Sequence, residues 1–338
     1  MKKLLLTGGA GFIGHHIVEY ILKNCPDHEI IILDKLSYAS SGFDRLRDID
    51  VYDNNRDRVK IFTFDFTRPI SEGLAKEIGR PDVIIHLGAE SHVDLSIADP
   101  ERFILNNVIG TLNMLQFAKL VRPNLFIYFS TDEVYGPAPE GIFYKEGDRH
   151  NTGNPYSASK SASEMLCRSF ASTYKMRINI TNTMNVFGER QHPEKFIPMV
   201  INKVLKEEEV TIHSDASMTK AGSRFYIHAR NVALKLMYII EHSKENLDKY
   251  DASKGVFHIV GEKEIDNLKL AQMIAKYIGK KLIYKMVDFH SSRPGHDLRY
   301  AMSGEKLEKL GCINPKPFEE SLGKTIEWTI QNQKWLNI

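Results

Sequence analysis

The sequence predicts an α/β protein built on a doubly wound parallel sheet, with a smaller, partly interleaved lobe toward the C-terminus. Two observations support this fold class. Short apolar runs alternate with longer helical patterns through the first half of the chain, and this alternation loosens after about residue 188. The 338 residues also suffice for about two domains. We therefore expect a first domain over 1–188 and a second over 189–338, with some later segments returning to the first.

The predicted strands are unbroken apolar runs, which are typical of parallel strands buried on both faces. They cover residues 4–6, 29–33, 59–64, 83–87, 125–129 and 178–181. Amphipathic spacing predicts helices over 13–22 and 101–120. The later lobe is expected to contain a helix over 230–242, a strand over 256–260 and a helix over 267–278. The polar segment 37–58 is expected to be a surface excursion.

Composition argues against several classes of protein. The 45 basic and 43 acidic side chains leave a net charge of +2, which gives no general attraction to nucleic acid or to anionic lipid. No apolar run reaches the roughly 18 residues of a membrane span. Cys25, Cys167 and Cys312 lie too far apart for a zinc or redox motif, and the histidines lack ligand spacing, so we expect no metal. A reduced, cytoplasmic protein is expected.

A glycine-rich turn joins the first predicted strand to the first helix. Gly8, Gly11 and Gly14 permit a tight turn and the close approach of a pyrophosphate to the helix N-terminus. Asp34 ends the second strand about 20 residues later, where a carboxylate accepts ribose hydroxyls and repels a 2′-phosphate. The pattern predicts a Rossmann-like first domain that binds NAD rather than NADP, although the cation of Lys35 could tolerate that phosphate.

Further cofactor contacts are expected at the carboxyl ends of the strands, where ligands bind in open α/β sheets. Asp65, after the third strand, is a candidate for the adenine edge, with a simple turn residue as the alternative. The expected cofactor contacts are Gly8, Gly11, Phe12, Ile13, Gly14, Asp34, Lys35, Leu36, Ser37, Asp65, Phe66, Leu87, Gly88, Ala89, Asn106, Tyr156 and Lys160.

A tyrosine and a lysine stand four residues apart at Tyr156 and Lys160. On a helix these side chains share one face. A nearby cation favours the phenolate and lowers the pKa of a tyrosine, which would make Tyr156 a usable base near neutral pH. In the same domain as a nucleotide-binding turn, this pair predicts an oxidoreductase-type active site.

The chain resembles the extended short-chain dehydrogenase/reductase family. Three segments carry the resemblance: 7–14, 130–136 and 156–160. Within that family the chain is similar to the nucleotide-sugar 4,6-dehydratases of the dTDP-glucose type, from residue 4 to about 302. Segments 90–94, 193–198 and 293–300 extend the similarity. The most discriminating feature is the run Thr131-Asp132-Glu133, because related epimerases and decarboxylases generally carry Ser or Thr in place of Asp132.

The resemblance implies the conversion of a nucleoside diphosphate hexose to its 4-keto-6-deoxy derivative and water, with NAD recycled. Tyr156 would take the proton of the C4 hydroxyl, which Thr131 holds, while C4 is oxidised. Glu133 would then remove the C5 proton, and Asp132 would protonate the departing C6 hydroxyl. Two adjacent acids in opposite protonation states serve this chemistry.

A diphosphate requires cations, and Lys195, Arg224 and Arg293 are the candidates. By resemblance, the residues at substrate-contacting positions are Ser91, Thr131, Asn185, Lys195, Phe196, Arg224, Asn267, Arg293 and His296. Leu95, Phe225 and segment 189–192 depart from the family pattern. They lie where sugar and base would be held, so dTDP-glucose, UDP-glucose and UDP-N-acetylglucosamine all stay open.

Broad apolar faces over 101–120 and 157–171 have two interpretations, core packing and the four-helix homodimer interface that the resemblance implies. Two alternative functions also stay open. One is an epimerase or decarboxylase on the same scaffold. The other is a non-catalytic nucleotide-sensing protein, which would have no need of Thr131, Tyr156 and Lys160.

Overall fold

The computed structural model describes residues 2–242, 255–289 and 297–337. Its centre is a parallel seven-stranded sheet in the order β11-β6-β5-β4-β1-β2-β3. The strands are β1 (Lys3–Thr7), β2 (Glu29–Asp34), β3 (Val59–Thr63), β4 (Val83–His86), β5 (Leu125–Thr131), β6 (Ile178–Thr183), β7 (Val186–Phe187), β8 (Val210–Ser214), β9 (Ser223–Phe225), β10 (Ile227–His228), β11 (Val256–Ile259), β12 (Glu264–Asp266) and β13 (Tyr284–Asp288). The doubly wound fold and the six strands predicted in the first half are confirmed.

Helices cover both faces of this sheet. They are α1 (Phe12–Asn24), α2 (Asp44–Asp48), α3 (Glu72–Ile78), α4 (Val93–Ala98), α5 (Pro100–Phe103), α6 (Gly110–Val121), α7 (Pro155–Tyr174), α8 (Phe196–Lys206), α9 (Ala229–His242), α10 (Asn267–Ile278), α11 (Glu305–Lys309) and α12 (Phe318–Gln331). The helix predicted over 101–120 is found in three parts, because a π-helical stretch, Ile104–Ile109, joins α5 to α6. The other predicted helices lie within one to four residues of their expected ends.

The apolar run of β1 explains why the sheet is buried on both sides. Successive side chains of a strand point to opposite faces. Leu4 and Leu6 accordingly pack in the layer that contains α1 and α9, whereas Leu5 packs in the layer that contains α6 and α7. All three leucines are fully buried. A strand with apolar residues at every position therefore belongs in the middle of a two-sided α/β sandwich.

The later part of the chain divides between the central sheet and a smaller lobe. α8, α10 and α12 enclose a separate apolar core, with β8 and β13 paired beside it. In contrast, β11 pairs with β6, and α9 packs on α1. The expected return of later segments to the first domain is thus present, and the boundary at residue 188 stays a prediction.

The expectation that 37–58 is only a surface excursion is wrong. Arg45 and Leu46, both on α2, are fully buried. Arg45 donates to the carbonyl oxygens of Ala39 and Ser40 and, far along the chain, of Arg190. These bonds attach the segment to the body of the protein. Within the described ranges, no helix is long and apolar enough to cross a membrane.

Candidate active site

A cleft lies at the carboxyl ends of the central strands, beside the β1–β4 junction. The chain runs outward from β1 to β2 and β3 and then crosses back to β4 on the other side of β1. Helices leave opposite faces at such a switch point, which opens a crevice for a ligand. The turn before α1, the ends of β4 and β5 and the start of α7 form one wall, and residues 183–197 with Tyr226 form the other.

The glycine turn brings the backbone close to this cleft. Gly8 has φ +71°, a conformation that favours glycine, and a side chain on Gly14 would lie 2.1 Å from the carbonyl oxygen of Gly8. Gly11 caps the thirteen-residue helix α1 without a side-chain hydrogen bond. The N-terminus of α1, with its positive dipole end, therefore faces the cleft without side chains in the way.

Asp34 and Lys35 define the ribose side of the cleft. The Asp34 carboxylate accepts hydrogen bonds from the backbone N–H groups of Ala10 (2.9 Å) and Leu36 (2.8 Å), while burial raises its pKa. The ammonium of Lys35 donates to Glu90 (2.8 Å) and Asn106 (2.7 Å). Lys35 is therefore paired with a buried carboxylate and is poorly placed to attract a 2′-phosphate, which favours a free ribose over a phosphorylated one.

Three predicted cofactor residues lie outside the cleft lining: Leu36, Asp65 and Asn106. Asp65 is exposed and its carboxylate accepts from the backbone N–H of Thr67 at 3.0 Å, and its contact with the adenine edge stays a prediction. The side-chain oxygen of Asn106 accepts a hydrogen bond from Lys35. Leu36 packs against the apolar core. The remaining predicted cofactor residues all line the cleft.

Tyr156 and Lys160 enter the cleft from the first turns of α7. Both are buried, and Tyr156 packs edge-on to Phe103 with ring centroids 6.3 Å apart. The ammonium of Lys160 donates to the carbonyl oxygen of Phe129 at 2.6 Å and lies 4.3 Å from the ring centre of Tyr128. Burial lowers the pKa of Lys160 to about 7.

The expectation that Lys160 lowers the pKa of Tyr156 does not hold in this structure. Burial raises the pKa of Tyr156, and the carboxylates of Glu133 and Asp132 add to the rise, while a hydrogen bond with Thr131 opposes it. The reason is geometric, since Lys160 is directed at a carbonyl of β5. Without a cofactor beside it, Tyr156 is therefore neutral and hydrogen-bonded to Thr131.

The two acids follow β5 in a short 3₁₀ helix, Asp132–Tyr135. The Thr131 hydroxyl donates to Asp132 Oδ1 at 3.1 Å, and Asp132 Oδ2 is buried without a hydrogen-bond partner in the described part of the chain. Burial and the neighbouring Glu133 raise the pKa of Asp132 to about 7. Asp132 is therefore able to hold a proton near neutral pH.

Glu133 has a different environment. Its Oε2 accepts a hydrogen bond from the side-chain amide of Asn154 at 3.2 Å. Burial raises the pKa of Glu133, whereas the bond from Asn154 and the charge of Arg224 lower it. Neighbouring carboxyls with unequal environments are suited to separate acid and base roles.

The predicted substrate residues divide into three groups. Ser91, Thr131, Asn185, Lys195 and Phe196 line the cleft. Arg293 and His296 lie outside the described residues. Two others, Arg224 and Asn267, do not line this cleft, and their contact with substrate stays a prediction.

Both side chains form hydrogen bonds within the protein. The Arg224 guanidinium donates to the carbonyl oxygens of Ser223, Asp297 and Leu298 and lies 4.6 Å from the ring centre of Tyr300. Asn267 accepts from the hydroxyl of Tyr226 at 2.8 Å. Arg224 acts on the site through its charge, since it lowers the pKa of both acids.

Sequence reasoning missed several cleft residues. They are Ala39, Ser40, Phe129, Ser130, Thr183, Met184, Val186, Phe187, Gln191, His192, Glu194, Ile197 and Tyr226. The charged segment 189–192 departs from the family pattern, and that signal could have identified Gln191 and His192. Among the described residues, no group of three or more His, Cys, Asp or Glu side chains is arranged to hold a metal ion.

Comparison with known proteins gives consistent matches along the chain. Residues 4–252 match the NAD dependent epimerase/dehydratase family. The chain is 32% identical over 342 residues to human dTDP-D-glucose 4,6-dehydratase, covering 100% of this chain and 93% of that protein. It is 32% identical over 340 residues to a trifunctional Arabidopsis thaliana enzyme named in part as a UDP-glucose 4,6-dehydratase, covering 99% of this chain and 48% of that protein. DesIV, a dTDP-glucose 4,6-dehydratase of Streptomyces venezuelae crystallised with NAD and TYD, superimposes with a TM-score of 0.84 at 31% identity over 98% of each chain.

Proposed function

The chain belongs to the NAD dependent epimerase/dehydratase family, and we propose that within it the chain is a nucleotide-sugar 4,6-dehydratase. The observation that carries this proposal is the pair Asp132–Glu133 beside Tyr156 in one cleft. The two acids are adjacent and differently hydrogen-bonded, Asp132 buried and Glu133 half-buried. Removal of water across C5–C6 of a hexose needs one acid and one base at this place.

The residues present fit NAD. The backbone of the glycine turn would hold the pyrophosphate, and Asp34 would accept the ribose hydroxyls of the adenosine. A Cβ on Gly8 would clash with the backbone of Gly88, and a Cβ on Gly14 would clash with the carbonyl oxygen of Gly8, so both glycines keep the turn packed tightly at the start of α1. When bound, NAD would supply the hydride chemistry, oxidation at C4 and reduction at C6, with no net change in the cofactor.

The residues of the chain then move protons in sequence. Tyr156, held by Thr131, would act as the phenolate, which the positive charge of a bound nicotinamide ring would favour over the neutral phenol. It would accept the proton of the C4 hydroxyl as C4 becomes a ketone, which makes the C5 hydrogen acidic. Glu133 removes that C5 proton, and Asp132 gives its proton to the C6 hydroxyl, which leaves as water. C5 takes a proton back when hydride reaches C6. Burial raises the pKa of both acids, to about 7 for Asp132, whereas the hydrogen bond from Asn154 opposes the rise at Glu133. This difference supports the two roles.

The nucleotide is not determined by these residues. The human and Streptomyces relatives are named for dTDP-glucose, and the Arabidopsis relative for UDP-glucose. The positions that depart from the family pattern bear on this choice, because Gln191 and His192 line the cleft. We therefore propose an NDP-glucose substrate with thymine and uracil as the two candidate bases.

Incubation of the NAD-loaded enzyme with dTDP-glucose, UDP-glucose and UDP-N-acetylglucosamine tests the function. We expect at least one to yield a 4-keto-6-deoxy product, lighter by one water, without added reductant. A product of unchanged mass would identify an epimerase, and loss of carbon dioxide from a uronic acid analogue would identify a decarboxylase. Binding without any product from the whole panel would identify a nucleotide-sensing protein.

Substitution of Asp34 tests the cofactor site. Asp34→Asn removes the negative charge that favours ribose hydroxyls, so NAD is expected to bind about tenfold more weakly and the preference over NADP to shrink. Asp53→Asn is the matched control, because Asp53 is exposed and lies outside the cleft. Its NAD affinity should stay within about twofold of wild type. Equilibrium titration of both dinucleotides measures this, and equal effects of the two substitutions would contradict the placement.

We also propose that the protein forms a homodimer through the helices near 101–120 and 157–171. Several apolar side chains of these two segments are exposed, among them Ile104 (44%), Leu105 (48%) and Met165 (47%). The neighbouring α4 adds the exposed Ile97. Exposed apolar groups of this kind on adjacent helices are typical of a contact surface.

Charge introduced on this surface tests the dimer. The double substitution Leu105→Glu, Met165→Glu is expected to convert a wild-type dimer into monomers, because burial of two carboxylates opposes association. Ile313→Glu, at a residue that is 67% exposed in the C-terminal part of the chain, is the control and should leave the dimer intact. Sedimentation velocity measures the mass, and a monomeric wild-type protein would refute the proposal.

A further inference from the structure

Asn154 occupies the N-cap of α7, the helix that carries Tyr156 and Lys160. Its side-chain oxygen accepts a hydrogen bond from the backbone N–H of Ser157 at 2.8 Å, and the Ser157 hydroxyl accepts in turn from the backbone N–H of Asn154 at 3.3 Å. The residue is only 7% exposed. This reciprocal capping box fixes the Asn154 side chain in one orientation.

The cap also determines which amide atom faces Glu133. An asparagine amide has an oxygen that only accepts and a nitrogen that only donates. Since the oxygen is engaged by Ser157, the nitrogen is the atom that lies 3.2 Å from Glu133 Oε2. A donor at this distance favours the ionised carboxylate over the neutral acid.

A different side chain donates to the neighbouring acid. Asp132 Oδ1 accepts from the Thr131 hydroxyl, and Asp132 Oδ2 has no partner within the described part of the chain. Asp132 is buried and Glu133 is half-buried, and burial raises the pKa of both carboxyls. The amide of Asn154 is a local difference between the two acids.

Other charged and titratable groups also act on Glu133. They are Asp132, Tyr156, Lys195, Arg224, Asp297 and Tyr300. Arg224 acts on both acids, and therefore does not by itself decide between them. All of these groups stay in place when Asn154 is changed.

We infer that Asn154 is a positioning residue that makes Glu133 the base of the acid–base pair. It donates to Glu133 with one end of its amide and caps the helix of Tyr156 with the other. This inference rests on the proposed dehydratase function. It predicts that the two roles of Asn154 can be separated by substitution.

Asn154→Ser separates them, because serine is an equally good N-cap but has no amide to reach Glu133. The experiment follows the exchange of the C5 hydrogen with solvent deuterium against pH in the NAD-loaded enzyme. Without the donor, Glu133 needs a higher pH to ionise. The acidic limb is the part of the pH profile in which exchange falls as the pH is lowered. We expect it to move up by about one pH unit, so that exchange at a given pH below the limb is about tenfold slower.

Two companion variants complete the test. Ser157→Ala weakens the capping box but keeps the amide donor, so its acidic limb should stay where it is in wild type. Asn154→Asp keeps the cap and places a second carboxylate against Glu133, which should move the limb further in the same direction as Asn154→Ser. An equal loss of rate at every pH in Asn154→Ser, or the same shift in Ser157→Ala, would show a merely structural role and overturn the inference.

Failure of the inference is distinguishable from failure of the proposed function. If the protein is not a dehydratase, the wild-type enzyme itself gives no C5 exchange and no 4-keto-6-deoxy product. If only the inference is wrong, wild type performs both and the acidic limb of Asn154→Ser coincides with that of wild type.

Discussion

Tyr156→Phe is expected to lower kcat by about a thousandfold, because proton transfer by a positioned side chain contributes about 10²–10⁴ to a rate. The phenol is buried and hydrogen-bonded to Thr131, so removal of its oxygen removes the group to which we assign the C4 proton. Oxidation at C4 should therefore stop. Every later step then stops with it.

The measurement is the rate at which the C4 hydrogen leaves the sugar in a single turnover. Affinity for NAD and for nucleotide should change little, since phenylalanine preserves the ring that packs on Phe103. Thr131→Val should give a smaller loss, because Tyr156 keeps its oxygen but loses the hydroxyl that orients it. A variant Tyr156→Phe that oxidises C4 at the wild-type rate would remove Tyr156 from the base role.

Glu133→Gln is expected to abolish C5 exchange with solvent deuterium while C4 is still oxidised. Glutamine retains the shape of the side chain but cannot accept a proton, so the reaction should stop at the ketone. The expected loss of overall rate is about a thousandfold, similar to that for Tyr156→Phe. Full C5 exchange in this variant would show that another group is the base.

Asp132→Asn is the matched variant for the neighbouring acid. It should preserve C5 exchange, because Glu133 and its bond from Asn154 are unchanged. It should slow the loss of water, because the C6 hydroxyl then leaves without a proton donor. Nuclear magnetic resonance of the sugar in deuterated water measures exchange and water loss together. If the two variants fail at the same step, the separation of roles is wrong.

Much of the fold could be predicted because its signals are local. A strand such as β1, apolar at every position, fits only a site covered on both faces, and the glycine turn that follows it can occur only where a helix begins close to a strand. The active-site core is local in the same sense. Thr131, Asp132 and Glu133 are consecutive, and Tyr156 and Lys160 lie on one helix face.

The features that sequence reasoning missed depend on contacts between distant parts of the chain. The buried guanidinium of Arg45 donates a hydrogen bond to the carbonyl oxygen of Arg190, and no local pattern in 37–58 predicts that contact. The carbonyl oxygen of Phe129 accepts a hydrogen bond from Lys160 and so sets the direction of that side chain. A carbonyl oxygen at residue 298 likewise accepts a hydrogen bond from Arg224. A motif thus identifies which residues can act, whereas their hydrogen-bond partners decide which atoms they face.

The most direct test of this account follows two hydrogens through the reaction. A nucleotide hexose carrying deuterium at C4 and at C5 is converted in ordinary water, and the product is examined by nuclear magnetic resonance. The account predicts deuterium at C6, hydrogen from solvent at C5, and a ketone at C4. Deuterium retained at C4 in an inverted sugar, or released from C4 into the solvent, would contradict it.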